Sequence, residues 1–279
     1  MIQQGKVSSM NKSIWEMKGV LKGFVLAGVG AALFSISAAA PLAHADSSQP
    51  EKIRIAPDRM FAPTGFDDND NAQIVLAGAY PNTCYKAGQV SASVDEAAHK
   101  IRVRNEAYLH ESDFCLMVLV PWTQTVNLGT VSPGEYEVEF ERDDGVATAE
   151  TKFAVSRAAH AGADDYLYAI VDEVTAVDSE QGRGGLHPSL KVRANGTRQV
   201  RLSGSLPSSC ATLKEVKVIH KNADVFEVLP IVEVPMNEIC SPVLRPFQTT
   251  IDLGTATKGD ALVHVRSLNG QAVNRVLKF

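Results

Sequence analysis

Charged and bulky residues alternate one for one through Glu135-Tyr136-Glu137-Val138-Glu139-Phe140-Glu141. A period of two belongs to a strand with one buried face, so Tyr136, Val138 and Phe140 are expected to face a core. Lys100-Ile101-Arg102-Val103-Arg104 carries the same pattern. Asp144-Gly145 separates the first of these strands from a second at Val146–Val155, and Asn269-Gly270 stands before another at Ala272–Phe279. Both dipeptides tolerate the positive φ of a tight turn, which makes each segment a hairpin. Further strands are expected at Lys52–Ala56, Gln73–Gly78, Gln89–Val94, Phe114–Val120 and Thr125–Gly129. Later ones are expected at Tyr166–Val177, Gln199–Gly204, Leu213–His220, Val225–Val234, Thr249–Leu253 and Asp260–Arg266.

The strands fall into two matching sets. Gly78-Ala79-Tyr80-Pro81-Asn82-Thr83-Cys84 is answered by Gly204-Ser205-Leu206-Pro207-Ser208-Ser209-Cys210, 126 residues on. After Cys115 and Cys240 the offset is 125 and stays there. Pro121-Trp122 matches Pro246-Phe247, Leu128-Gly129-Thr130 matches Leu253-Gly254-Thr255, and Gly145 matches Gly270. One unit has therefore been copied. Residues common to both copies are expected to serve the fold, so a local function is expected where they differ.

The first forty-five residues read as an export signal. Lys12, Lys18 and Lys22 precede an apolar stretch from Phe24 to Ala40, and Ala43-His44-Ala45 supplies a small-x-small cleavage site. The predicted organisation is a signal peptide at 1–45, a first domain at 46–155, a linker at 156–165 and a second domain at 166–279. The expected location is periplasmic or secreted. In an oxidising compartment, two cysteines at matching places in each copy pair within copies, giving Cys84–Cys115 and Cys210–Cys240. Spacing leaves open whether each bridge joins two sheets or neighbouring strands.

About seven short strands in about 100 residues is the pattern of an immunoglobulin-like sandwich. Tandem β units of this size, with paired cysteines and hairpin turns, resemble the immunoglobulin-like modules of bacterial secreted proteins. The resemblance is architectural and covers most of residues 52–279. It implies an all-β fold of two tandem immunoglobulin-like β-sandwich domains, each with one disulfide. Trp122 lies after Cys115 rather than between the cysteines, which departs from the antibody arrangement.

The formal net charge is −5 at pH 7, and the leader would take four lysines and one glutamate with it. An acidic chain with scattered charges lacks the basic footprint of a nucleic-acid binder, and no membrane span is expected in the mature chain. Asp67-Asp68-Asn69-Asp70-Asn71 is dense in the oxygen ligands that suit Ca²⁺. It reads as a solvated turn or a calcium site, with Asp67, Asp68, Asn69 and Asp70 as the metal candidates. Ala72 and Gly78 break the helix-loop-helix calcium pattern. His110, Glu111 and Asp113 bring imidazole and carboxylates together, a metal-binding or proton-shuttling possibility set against an exposed polar loop. No nucleophile elbow, phosphate loop or His-Glu-x-x-His is present. The expectation is a non-enzymatic binding or structural module with a protein or glycan partner and no cofactor beyond possible Ca²⁺. The alternatives are a Ca²⁺-stabilised adhesion-like module, and a secreted hydrolase or protease inhibitor assembled from loops.

Overall fold

The computed structural model describes residues 49–110, 114–142, 147–177, 198–222, 224–254 and 259–278. In the first copy the strands are β1 (Glu51–Arg54), β2 (Arg59–Phe61), β3 (Phe66–Asp67), β4 (Ala72–Tyr80), β5 (Tyr85–Asp95), β6 (Lys100–Leu109), β7 (Val120–Gly129), β8 (Gly134–Glu141) and β9 (Ala147–Ser156). They form one sheet in the order β2-β4-β7 and another in the order β1-β6-β8-β9-β3, with β5 on the remaining edge of β6. The second copy holds β10 (Ile170–Ala176), β11 (Arg198–Leu206), β12 (Thr212–Asn222), β13 (Val225–Glu233), β14 (Arg245–Gly254), β15 (Asp260–Ser267) and β16 (Gln271–Lys278). Its sheets run β10-β11-β14 and β12-β13-β15-β16. The two copies agree to the residue: Tyr80 pairs Val120 where Leu206 pairs Arg245, and Lys100 pairs Glu137 where Val225 pairs Leu262.

Two tandem β-sandwiches are thus present. Both depart at one equivalent pairing from the all-antiparallel sheets of an immunoglobulin domain, and the first also through the short β3, which lies parallel to β9. β6 lies parallel to β8, and β13 lies parallel to β15. The cause is the intervening strand: β7 and β14 belong to the opposite sheet, so the chain crosses over and returns in its original direction. Parallel neighbours require such a crossover.

Alternation places each side chain. Tyr136, Val138 and Phe140 are buried as expected, and the first core gathers Ile74, Leu76, Ile101, Val103, Tyr136, Val138 and Phe153. β4 breaks the alternation, because Ala72 to Ala77 are all buried. A continuous apolar run marks a strand covered on both faces. Here Ile74 and Leu76 enter the first core, while Val75 and Ala77 pack with Phe61 against Val225 and Leu262 of the second copy.

That second contact is a seam between the sandwiches, and it is polar at one end. Arg266 donates to Asp70 (2.8 Å) and to the carbonyl of Gly65 (3.0 Å), and its guanidinium lies 4.4 Å from the Phe66 ring centroid. Asn274 donates to Gln73 (3.0 Å) and Thr125 (3.2 Å). Further along, Arg59 is paired with Asp224. These contacts fix direction. Gln73 meets Asn274, Ala77 and Val276 share a wall, and Ala79 shares one with Lys278. β16 therefore runs alongside β4 in the same sense, and β15 in the opposite one. Because β4 leads into Cys84, while β13 and β15 both run toward the Cys240 end, the two disulfides lie at opposite ends of the molecule.

The same faces are used differently on the outside. Where the seam has Val225, Glu227, Leu262, His264 and Arg266, the first copy has Lys100, Arg102, Glu137, Glu139 and Glu141. These form ion pairs: Lys100 and Arg102 meet Glu139, and Arg104 meets Glu141 (2.8 Å). Where β4 offers Val75, Ala77 and Ala79, the second copy offers Arg201, Ser203 and Ser205.

Candidate functional site

In each copy the chain changes sheets twice at one end, and the disulfide ties those two crossings together. Cys84–Cys115 and Cys210–Cys240 both form, each with a Cα separation of 5.5 Å. The bond thus joins a β4–β5 turn to the β6–β7 loop, and a β11–β12 turn to the β13–β14 loop. Backbone bonds around it repeat as well. Thr83 N donates to Leu116 O (3.2 Å) and Leu116 N to Thr83 Oγ1 (3.0 Å); Ser209 N donates to Ser241 O and Ser241 N to Ser209 Oγ, both 3.0 Å. A three-residue turn follows in each, with Val118 N donating to Leu116 O and Val243 N to Ser241 O.

Beyond these anchors both loops present large apolar side chains to solvent. In the first, Phe114 is 75% exposed, Met117 79% and Leu119 70%, with Leu116 and Val118 about half exposed. In the second, Met236 and Ile239 are fully exposed and Val243 and Leu244 more than half. Phe114, Val118 and Leu119 occupy the repeat positions of Ile239, Val243 and Leu244. Isolated exposed apolar residues are ordinary, but contiguous ones mark contact surfaces. Phe114–Val120 was expected to be a strand; the strand begins only at Val120. The counterpart Ser241-Pro242 carries the signal that distinguishes them, because proline is excluded from a central strand.

Leu119 also stands at the mouth of a groove of about 690 Å³ along the seam. Ala77, Ala79, Pro121 and Val276 line it, with Asp58, Asp260, Arg275 and Lys278 among its charged residues. Trp122 closes the first-sandwich side but is itself buried, 5.7 Å from the Tyr80 ring. Gly78 makes room for it: a Cβ there would lie 2.7 Å from Trp122 Cζ2.

The acidic loop lies against the seam. Asp70 is buried on Arg266 and also accepts from Asp67 N (3.0 Å). Asp68 accepts from Ala158 N (2.8 Å), and Asn69 donates to the carbonyls of His160 and Gly162. Asp67 is held above the usual carboxylate range by burial and by neighbouring Asp70. Among the described residues no group of three or more His, Cys, Asp or Glu side chains is placed to hold a metal ion. His110 is exposed at the start of the β6–β7 loop, its N–H bonded to Cys84 O (3.1 Å). Glu111 and Asp113 lie outside the described residues, as does Asp144-Gly145.

Among the described residues, one titratable group is wholly enclosed. His264 Nδ1 lies 2.7 Å from Asn274 Oδ1. Because Asn274 Nδ2 donates to Gln73 and Thr125, its Oδ1 faces the imidazole, and Nδ1 must carry the proton. Burial, reinforced by Arg266, pushes the His264 pKa down to about 3. Tyr168 is driven above the ordinary phenol range by burial.

Together these features define a class: a tandem pair of disulfide-closed β-sandwiches joined by a packed seam, with an apolar loop at each end. Among the described residues no helix is long and apolar enough to cross a membrane. The chain belongs to the ORF11 beta-sandwich domain family, whose model matches it twice, over residues 74–155 and 200–278. Both matched segments fall within the repeated unit, one in each sandwich. Neither the curated proteins nor the solved structures offer a match.

Proposed function

We propose that this protein is an exported, non-enzymatic binding or structural module, acting in the periplasm or outside the cell through its disulfide-anchored apolar loops. The observation that carries this reading is the pair of exposed loops at equivalent repeat positions. Exposure of Phe114, Met117, Leu119, Met236 and Ile239 costs solubility and gains nothing for either core. A disulfide beside each loop limits the entropy lost when a partner fixes it, which favours binding. The basic, apolar and small-residue segments of the leader support the location, as does the pairing of all four cysteines. The wholly enclosed histidine is spent on the seam, bonded to Asn274.

The test is retention of partners from an envelope extract by the immobilised, disulfide-intact chain. Replacing Phe114, Met117 and Leu119 by Ser, or Met236 and Ile239 by Ser, should abolish retention while leaving the circular dichroism spectrum and melting temperature unchanged. Equal retention by wild type and both variants would remove the basis of the proposal.

A further inference from the structure

Resting on that reading of the loops, the partner of one of them is named by the shape and charge of the molecule itself. The two ends differ. At the Cys240 end, Met236-Asn237-Glu238-Ile239 projects, with Met236 and Ile239 fully exposed and Asn237 and Glu238 also exposed. At the Cys84 end, the groove along the seam is concave, walled by Ala77, Ala79, Pro121, Val276 and Leu119. Its volume of about 690 Å³ falls within the range of sites that enclose a ligand.

The charges match in two places. Glu238 stands between the two apolar tip residues, and Arg275 and Lys278 stand on the groove. Arg245, which donates to the Ala211 carbonyl, follows Leu244 at the base of the tip, and Asp58 and Asp260 line the groove. Opposed charges of this kind set register and orientation more than they add affinity. An acidic chain with a carboxylate in the middle of its apolar tip is poorly suited to an anionic lipid surface.

We propose that the protein associates head to tail with further copies of itself, the Met236–Ile239 tip of one molecule entering the groove between the sandwiches of the next. Tip and groove are different surfaces at opposite ends of the paired sandwiches. The contact is therefore heterologous, and it grows into an open assembly unless its rotation closes a ring.

Sedimentation velocity of the exported, disulfide-intact protein over a wide concentration range tests this. Wild type should gain mass with concentration. Ile239→Asp at the tip, or Ala79→Arg in the groove, should each raise the concentration for association by roughly ten-fold or more, as loss of a central contact residue does. Mixed one to one, these two variants should stop at a dimer, since each retains the surface the other lacks. Glu238→Lys and Lys278→Glu should each weaken association, and combining them in one chain should restore it. Circular dichroism and melting curves guard against misfolding. A wild type that stays monomeric overturns the proposal, as does association that survives the tip and groove substitutions, or association lost at the tip but indifferent to the groove. A monomer that still retains an envelope partner through its loops sinks self-association while leaving the binding role intact.

Discussion

Arg266 of the second sandwich and Asp70 of the first meet at 2.8 Å, with only 8% of either side chain exposed. Both charges are almost wholly withdrawn from water, so each depends largely on the other for compensation. Removing one partner of such a pair typically costs about 3–5 kcal/mol, because the remaining charge stays buried alone. Arg266→Ala and Asp70→Ala should each lower unfolding stability on that scale. The double variant Arg266→Ala with Asp70→Ala should cost clearly less than the two single losses added. Urea titration of the four chains checks this, and strict additivity would mean that the pair is not coupled.

His264 makes the seam sensitive to acid. Its folded pKa of about 3 lies below the ordinary histidine value near 6.5. The fold thus favours the neutral ring. The stability this contributes is complete above pH 6.5 and drains away as pH falls toward 3. By linkage the loss is of the order of 3 kcal/mol by pH 4. Wild type should therefore lose more stability between pH 7 and pH 4 than His264→Gln. Parallel pH dependences for the two proteins would show that the imidazole is not the titrating group.

Gly78 and Gly204 hold the same repeat position for different reasons. A Cβ on Gly78 meets the edge of Trp122, a side chain able to shift a little. A Cβ on Gly204 would lie 2.0 Å from the Ile170 carbonyl oxygen, on a backbone that cannot. Gly78→Ala should cost about 1–3 kcal/mol, in the range of overpacked cores. Gly204→Ala should cost more. The order of the two melting temperatures decides the matter, and the reverse order would refute this account of the site.

Each disulfide closes a span of about 30 residues between two crossings. On the chain-entropy model, removing one by paired Cys→Ala substitution should lower stability by about 3–4 kcal/mol. The two deletions should act locally. Hydrogen exchange should rise around Thr83 and Leu116 for the first pair, and around Ser209 and Ser241 for the second. Protection lost evenly across both copies would argue against that independence.

Much of this fold was legible in the sequence because its determinants are local and were written twice. Period-two alternation at Glu135–Glu141, the Asn269-Gly270 turn and the matched cysteines each act over a few residues. β2 and β3, three and two residues long, are too short to show a period at all. The seam escaped for another reason. Its residues are those where the copies diverge, Leu262 for Glu137 or Val75 for Arg201, and a difference in sequence does not say that the two faces meet. The apolar loops escaped because Phe114-Cys115-Leu116-Met117-Val118-Leu119-Val120 has the hydrophobicity of a covered strand. Only the crossing between sheets turns it outward. The expectation that function sits where the copies differ pointed toward Asp67–Asp70; there Asp70 meets Arg266 at the seam, while Asp68 and Asn69 bond Ala158, His160 and Gly162.

The divergence of the two outer faces has a consequence for how the gene could have grown. A duplicated unit that kept a greasy back and a matching front would invite a third and a fourth unit in register. Here the ladder of lysines, arginines and glutamates on one outer surface, and the arginine and serines on the other, give a further sandwich nothing to bury. A further copy would find on either flank no counterpart of the apolar face that Val75 and Ala77 share with Val225 and Leu262.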